Sequence, residues 1–259
     1  MKPIIAIIYS TFLRDELMYQ TVQSILDNFL NNCILLVGNQ SYKTDGERLN
    51  GFSNFCANND NPCHFPIEYY NLPFDCGLSY ARNFLVQKAK SLGCKYCILT
   101  ADSIKFTEKY NFEPIINFLE EKDNRGIVGL GLDNRQYWVY NMELIPGHFF
   151  KLNKDNLKII NSQGIEFISC EVVANFFLAK TQCLIDNPWD NNLKMAEHED
   201  IFWRLKQTKW KVYYTDYIKA QYINNKPTEY LKFRQRLYSE FKQKLQQKYK
   251  ISGWLKYER

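Results

Sequence analysis

No stretch of this chain approaches the eighteen or so consecutive apolar residues that a membrane-crossing helix requires. The first apolar run, Ile4-Ile5-Ala6-Ile7-Ile8-Tyr9, is also too short for the hydrophobic region of a secretory leader. A large excess of charge of one sign is lacking as well. With 33 Lys and Arg against 28 Asp and Glu, the formal net charge is only +5. That suits phosphate-bearing ligands and does not call for a nucleic acid. Internal repeats and low-complexity linkers are missing, which argues against a solenoid or a tethered array. The eight cysteines (Cys33, Cys56, Cys63, Cys76, Cys94, Cys97, Cys170 and Cys183) lack the leader that a disulfide framework would need, so free thiols in a reducing cytoplasm are expected. Cys94-x-x-Cys97 has no second pair at metal-ligand spacing, and Cys97 sits inside an apolar strand-like run, so neither zinc nor redox chemistry is expected there.

What is present is an ordinary globular composition, 46% apolar and 24% charged, unusually rich in aromatics with 18 Tyr, 18 Phe and 5 Trp. Continuous apolar runs of the kind found in buried parallel strands alternate with residues at helical spacing. Ile4–Tyr9, Cys33–Val37, Tyr96–Thr100 and Gly126–Leu132 read as strands. Met18, Val22, Ile25 and Phe29 mark one helix, Leu78, Ala81, Leu85 and Leu92 another, and Phe112–Glu121 a third. Residues 41–66 are polar, Asn-rich and read as loop. Residues 135–164 read as short strands and turns, Val172–Ala179 as one more buried strand, and Trp210–Tyr214 as a late one. This order indicates an α/β fold with a Rossmann-like mixed sheet flanked by helices, in which ligands bind beyond the carboxyl ends of the strands. Beyond a domain at 1–225, Tyr230, Phe233, Leu237, Phe241, Leu245 and Tyr249 recur at helical spacing in a basic background. They define a C-terminal amphipathic helical extension over 226–259. Its apolar face either packs on the domain or lies on a membrane surface as a peripheral contact.

Chemistry-bearing residues gather after the strands. Thr11 and Arg14 follow the first, where hydroxyls, a guanidinium and helix-opening amides can receive a nucleotide. Asn39 follows the second and can hydrogen-bond a base edge. Arg82 lies at the start of a helix, where its planar fork suits a diphosphate or a base carbonyl. Asp102 follows the third strand, a natural place for a metal or ribose ligand. The densest cluster is Glu197-His198-Glu199-Asp200, with Arg204 one turn later. Carboxylates at a helix N-terminus are stabilised as anions, so the cluster reads either as a helix cap with solvated acids or as a store for a general base. His198 reads as an orienting partner, as a metal ligand, or as a helix-start residue satisfied by a neighbouring acid. Trp138, Trp189 and Trp203 read as core residues, Trp189 being the best placed of them to stack on a sugar.

Taken together, T-F-L-R, L-P-F-D-C-G-L-S-Y-A-R-N, I-L-T-A-D-S, V-V-A-N-F-F-L-A-K-T and W-D-N-N-L-K-M-A-E-H-E-D-I-F-W-R-L-K resemble GT-A-fold glycosyltransferases of the family-2 kind. Within these they are most similar to the β-1,4-N-acetylgalactosaminyltransferases that make GM2-type structures. The resemblance covers roughly residues 3–217. It implies inverting transfer of a hexose or N-acetylhexosamine from a nucleoside-diphosphate sugar, UDP-linked, to a glycan or lipid-linked acceptor. It places Thr11, Arg14, Asn39, Arg82 and Asp102 on the donor and Asp200 as base with Glu199 beside it. Glu197, Trp189 and Asn175 fall on sugar or acceptor. Asp102 stands at the last acid of the D-x-D motif, which in the family holds a divalent cation, Mg²⁺ or Mn²⁺. Here Thr100-Ala101-Asp102 keeps one carboxylate, and no His follows Asp216. Either a metal binds weakly through Asp102 with His198 as a lesser candidate, or Lys219 or Lys226 replaces its charge. A domain that binds glycan or nucleotide without transfer is the alternative.

Overall fold

The computed structural model describes residues 4–29, 32–58, 66–133, 138–223 and 228–257. The parallel half of its main sheet is built by β3 (Ile67–Asn71), β2 (Cys33–Asn39), β1 (Ile5–Thr11) and β4 (Tyr96–Thr100), in that spatial order. β12 (Phe177–Lys180) then pairs antiparallel with both β4 and β6 (Arg125–Asp133). Beyond β6 lie β13 (Lys211–Tyr222), β10 (Ile165–Cys170) and β9 (Lys158–Ser162), with the two-residue β5 (Ile104–Lys105) attached to β13.

Every residue of β1 and β2 is buried, because both faces of this sheet are covered. Ala6 and Ile8 point into one core with Leu36 and Leu99 and with Leu85 of α3 (Leu78–Ser91). Ile5, Ile7 and Tyr9 point into the other with Met18, Val22 and Ile25 of α1 (Asp15–Asn28). The second core is closed by α4 (Glu113–Glu120), through Ile115, Phe118 and Leu119, while the short α5 (Thr181–Asp186) follows β12.

Two readings change. The polar stretch 41–66 contains a helix, α2 (Asp45–Asn58). It opens on a reciprocal cap in which Thr44 Oγ1 accepts from the Glu47 amide at 3.2 Å and Glu47 Oε2 accepts from the Thr44 amide at 3.0 Å. The apolar run at Val172–Ala179 is also not one strand. Val172–Val173 (β11) joins a second sheet, Phe177–Lys180 joins the main one, and the chain turns at Ala174-Asn175 between them.

That second sheet runs β11, β7 (Val139–Ile145), β8 (Phe149–Asn153), β14 (Leu255–Tyr257). It covers α6 (Glu197–Lys206) together with α7 (Thr228–Tyr249), whose Phe241 and Leu245 join the core of Ile201, Phe202 and Leu205. The segment after residue 228 is therefore built into this fold: the apolar stripe of α7 is turned inward, and β14 pairs parallel with β8. No helix among the described residues is long and apolar enough to cross a membrane.

Candidate functional site

A cleft of about 400 Å³ opens beyond the carboxyl ends of β1 and β4, with the start of α6 on one side and the first half of α7 on the other. Clefts of this size at this place in an open α/β sheet take small-molecule ligands. Of the residues singled out from sequence, Arg14, Arg82, Asp102, Asn175, Glu197, His198 and Glu199 line it.

Others do not reach it. Side chains alternate along a strand, so Ser10 and Phe12 face the cleft while Thr11 turns into the interior, 1% exposed. Asn39 is fully buried and spent on structure, its Oδ1 accepting from the Ser41 amide and its Nδ2 donating to Asp15. Gln40 lines the cleft in its place. Trp189 packs in the core with the Arg82 guanidinium 5.5 Å from its ring centroid. Trp138 is the indole in the wall, and it meets His198 edge-on at 5.3 Å. Lys219 lies on β13 with its ammonium 3.7 Å from Asp216, away from the cleft lining. Lys226 lies outside the described residues. Lys194 and Arg234, not singled out from sequence, supply cations to the lining instead.

The acid cluster is not a solvated cap. Glu197, His198, Glu199 and Asp200 are all buried in the first turn of α6. The helix begins at Ala196 in the left-handed region, φ 61°, with no side-chain cap. A non-glycine residue rarely adopts that conformation, and it is held here where the chain enters the cleft. The next turn of chain back, at Lys194, lies against Gly77 at the start of α3. A Cβ on Gly77 would stand 2.6 Å from Lys194 Cγ, and its φ of 87° suits glycine.

The four side chains of the cluster point in different directions. Glu197 Oε1 accepts from Arg82 Nη1 at 2.9 Å. His198 Nδ1 bonds Asn175 Oδ1 at 2.9 Å, so Nδ1 carries the hydrogen and the Nε2 lone pair has no partner among the described residues. Burial and the nearby Arg82 charge push the imidazole down to about 3, so it stays neutral. Asp200 turns away from the cleft. Its Oδ2 accepts from Arg204 Nε at 2.9 Å, and its Oδ1 accepts from Tyr249 Oη at 2.7 Å and faces Lys248 Nζ at 2.6 Å. It is fully buried and ties α6 to α7. Glu199 faces the cleft with no ion pair among the described residues, and burial, with Glu197 adding a smaller effect, pushes its carboxyl up to about 7.

At the β4 end, Asp102 Oδ1 accepts from Tyr9 Oη at 2.5 Å and Oδ2 stands 3.3 Å from Arg14 Nη1. Burial raises this carboxyl to about 6 against the opposing pull of Arg14. Both oxygens already face protein donors. No cluster of three or more His, Cys, Asp or Glu side chains able to hold a metal occurs among the described residues. A D-x-D site offers a divalent ion a pair of carboxylates, and in their place stands one carboxylate with both oxygens on protein donors. The residues present therefore do not fit the D-x-D metal.

No family model matches the chain. Its fold is similar to that of the mannosyltransferase PcManGT from Pyrobaculum calidifontis, solved in complex with GDP-Man and Mn²⁺, with a TM-score of 0.62 at 10% identity over 91% of this chain and 61% of that one. It is also similar to S. aureus TarS 1–349, solved in complex with UDP, with a TM-score of 0.50 at 14% identity over 83% of this chain and 60% of that one. The chain thus spans about three fifths of the length of these structures. At such identities the likeness shows the fold. The architecture of this chain, a mixed central sheet flanked by helices with a C-terminal helix, matches the GT-A fold.

Proposed function

We propose that this chain is an inverting glycosyltransferase that takes a nucleoside-diphosphate sugar, UDP-linked, and glycosylates a hydroxyl of a glycan or lipid-linked acceptor. The observation that carries the reading is Glu199. It is a buried carboxyl at a helix start, without a counter-ion among the described residues, facing a cleft at the carboxyl ends of β1 and β4. A base works best with a pKa near the working pH, and burial brings Glu199 to about 7. In the reaction Glu199 removes the acceptor hydroxyl proton as the oxygen attacks the anomeric carbon. The bond from that carbon to the diphosphate breaks with its electron pair on the leaving oxygen, and the sugar is inverted. Glu197, held by Arg82, and Asn175, held by His198, border the space for the sugar. Trp138, in the cleft wall, is the aromatic ring for packing against donor or acceptor rings. Asp200, the base implied by the motif resemblance, is assigned instead to anchoring α7. The hexosyl or N-acetylhexosaminyl character of the donor rests on the sequence motifs alone.

A panel of UDP- and GDP-linked sugars followed by thermal shift tests the reading. A cognate donor at about one hundred times its Kd adds ~2.7 kcal/mol, or roughly 5–11 °C for a chain of this size. Release of the nucleoside diphosphate in the presence of acceptor distinguishes an enzyme from a domain that binds nucleotide without transfer. That second reading is favoured by the single carboxylate left at the β4 end. A panel with no stabilising member would overturn both.

A further inference from the structure

We propose that Arg14 occupies the electrostatic place of the divalent cation: it neutralises the diphosphate directly, and the site works without metal. The inference rests on the reading of this cleft as a nucleotide-sugar site. Arg14 follows β1 and lines the cleft beside Asp102, the one acid left of the D-x-D motif. Arg14 is buried, 8% exposed, and its guanidinium is sandwiched. Asp102 Oδ2 lies 3.3 Å from one side, and the Tyr230 ring of α7 lies 3.5 Å below the guanidinium carbon. Its Nε is buried without a hydrogen-bond partner among the described residues. A planar fork with donors to spare and a permanent charge suits the bidentate grip of phosphate oxygens.

The other cations of the lining have protein partners of their own. Arg82 is bonded to Glu197, and Lys194 is bonded to the Asp75 carboxylate and carbonyl. Arg234 donates to Tyr230 Oη. Asp102 then serves to orient Arg14 and to offset its charge while the cleft is empty, with Tyr9 holding the other carboxylate oxygen. That role inverts what a metal-holding aspartate would do.

Two variants separate the cases. In a metal site, Asp102→Asn removes the ligand and abolishes nucleotide binding. In an arginine site it releases Arg14 from its counter-charge, so binding of the diphosphate is kept or tightened. The experiment is calorimetric titration of UDP, GDP and the corresponding nucleosides into the wild type, Asp102→Asn and Arg14→Gln. Each titration is run with excess EDTA and again with millimolar MnCl₂. Circular dichroism establishes that each variant is folded. The expected result is a wild-type Kd for UDP or GDP that changes less than about twofold between EDTA and Mn²⁺. Asp102→Asn should bind at least as tightly as wild type. Arg14→Gln should lose about tenfold or more in diphosphate affinity, the scale of one charge-assisted hydrogen bond, with nucleoside affinity unchanged. Binding that appears only with Mn²⁺ and vanishes in Asp102→Asn overturns the inference and leaves the nucleotide-sugar reading standing. No binding of either diphosphate under either condition overturns that reading, and the inference with it.

Discussion

Replacing Asp200 by Asn separates structural from chemical roles in the acid cluster. The wild-type carboxylate is fully buried, and its oxygens face Arg204 Nε at 2.9 Å, Tyr249 Oη at 2.7 Å and Lys248 Nζ at 2.6 Å. Asparagine keeps the volume but has only one acceptor oxygen. Whichever way the amide is turned, its NH₂ group confronts a donor: Arg204 in one orientation, Tyr249 and Lys248 in the other. Breaking a buried ion pair costs about 3–5 kcal/mol. The Arg204 and Lys248 side chains are 30% and 31% exposed and can rehydrate, which lowers the expectation to about 2–4 kcal/mol. For a chain of this length that is a fall in Tm of roughly 4–16 °C. Glu199→Gln removes a carboxyl that has no ion-pair partner among the described residues, so it should melt at or above the wild-type temperature. Its turnover should drop by about 10²–10⁴, the range for loss of a general base. Thermal melts, urea titration and turnover measured well below the melting transition give the comparison. Asp200→Asn should lose stability and keep turnover within about tenfold. A wild-type Tm combined with a turnover loss as large as that of Glu199→Gln would refute the assignment and return the base to Asp200.

With Glu199 as base, kcat/KM should rise with pH through an inflection near 7 and level off above it, because only the ionised carboxylate accepts the proton; a pH–rate profile checks this. The same raised value makes ionisation of Glu199 unfavourable to the fold, so its contribution falls as pH climbs from about 4.5 to about 7, by up to ~3 kcal/mol. His198, held down at about 3, works in the opposite sense. Its contribution is whole above about 6.5 and is lost as pH falls toward 3. The two therefore offset each other between about pH 4.5 and 6.5, and Glu199→Gln should unmask the acid-side loss in denaturation curves taken across that window. The His198 ring should keep the chemical shifts of a neutral Nδ1–H tautomer down to pH 4 in NMR spectra, where an exposed imidazole would have titrated. Deleting residues 228–257 strips Phe241, Leu245 and Ile251 from a shared core, so the remainder should lose its near-ultraviolet circular dichroism and bind a hydrophobic dye.

The parts of this fold that sequence makes readable are those fixed by short-range physics. β1, β2 and β4 announce themselves because a strand covered on both faces must be apolar throughout, and Tyr96–Thr100 falls where the apolar run falls. α2 was hidden by its polarity. With only Gly51 and Phe55 buried it has almost no apolar stripe, and the Thr44–Glu47 cap was its one local signal. The break at Ala174-Asn175 was hidden for a different reason: an apolar run carries no mark of which sheet each half will join.

The acid cluster shows where the boundary lies. That residues 197–200 carry carboxylates at a helix start is visible in the sequence, and so is the Asp200–Arg204 spacing of one turn. Which acid faces the ligand is not. Adjacent residues on a helix differ by about 100° in direction, and here Glu197, His198 and Glu199 line the cleft while Asp200 is turned to the α7 side. The rotation of α6 is set by what packs against it: Ile201, Phe202 and Leu205 on the core side, and on the far side Lys248 and Tyr249, the latter 49 residues away in sequence. Three donors gathered at one point make the buried Asp200 position an anion site irrespective of chemistry, and they leave its neighbour as the carboxyl without a counter-charge among the described residues. The same long-range packing places Tyr230 under Arg14. The C-terminal helix, which sequence presents as an appendage, thereby fixes the direction of Asp200 and the position of Arg14 together, so the motifs read without it do not show which of these side chains faces the cleft.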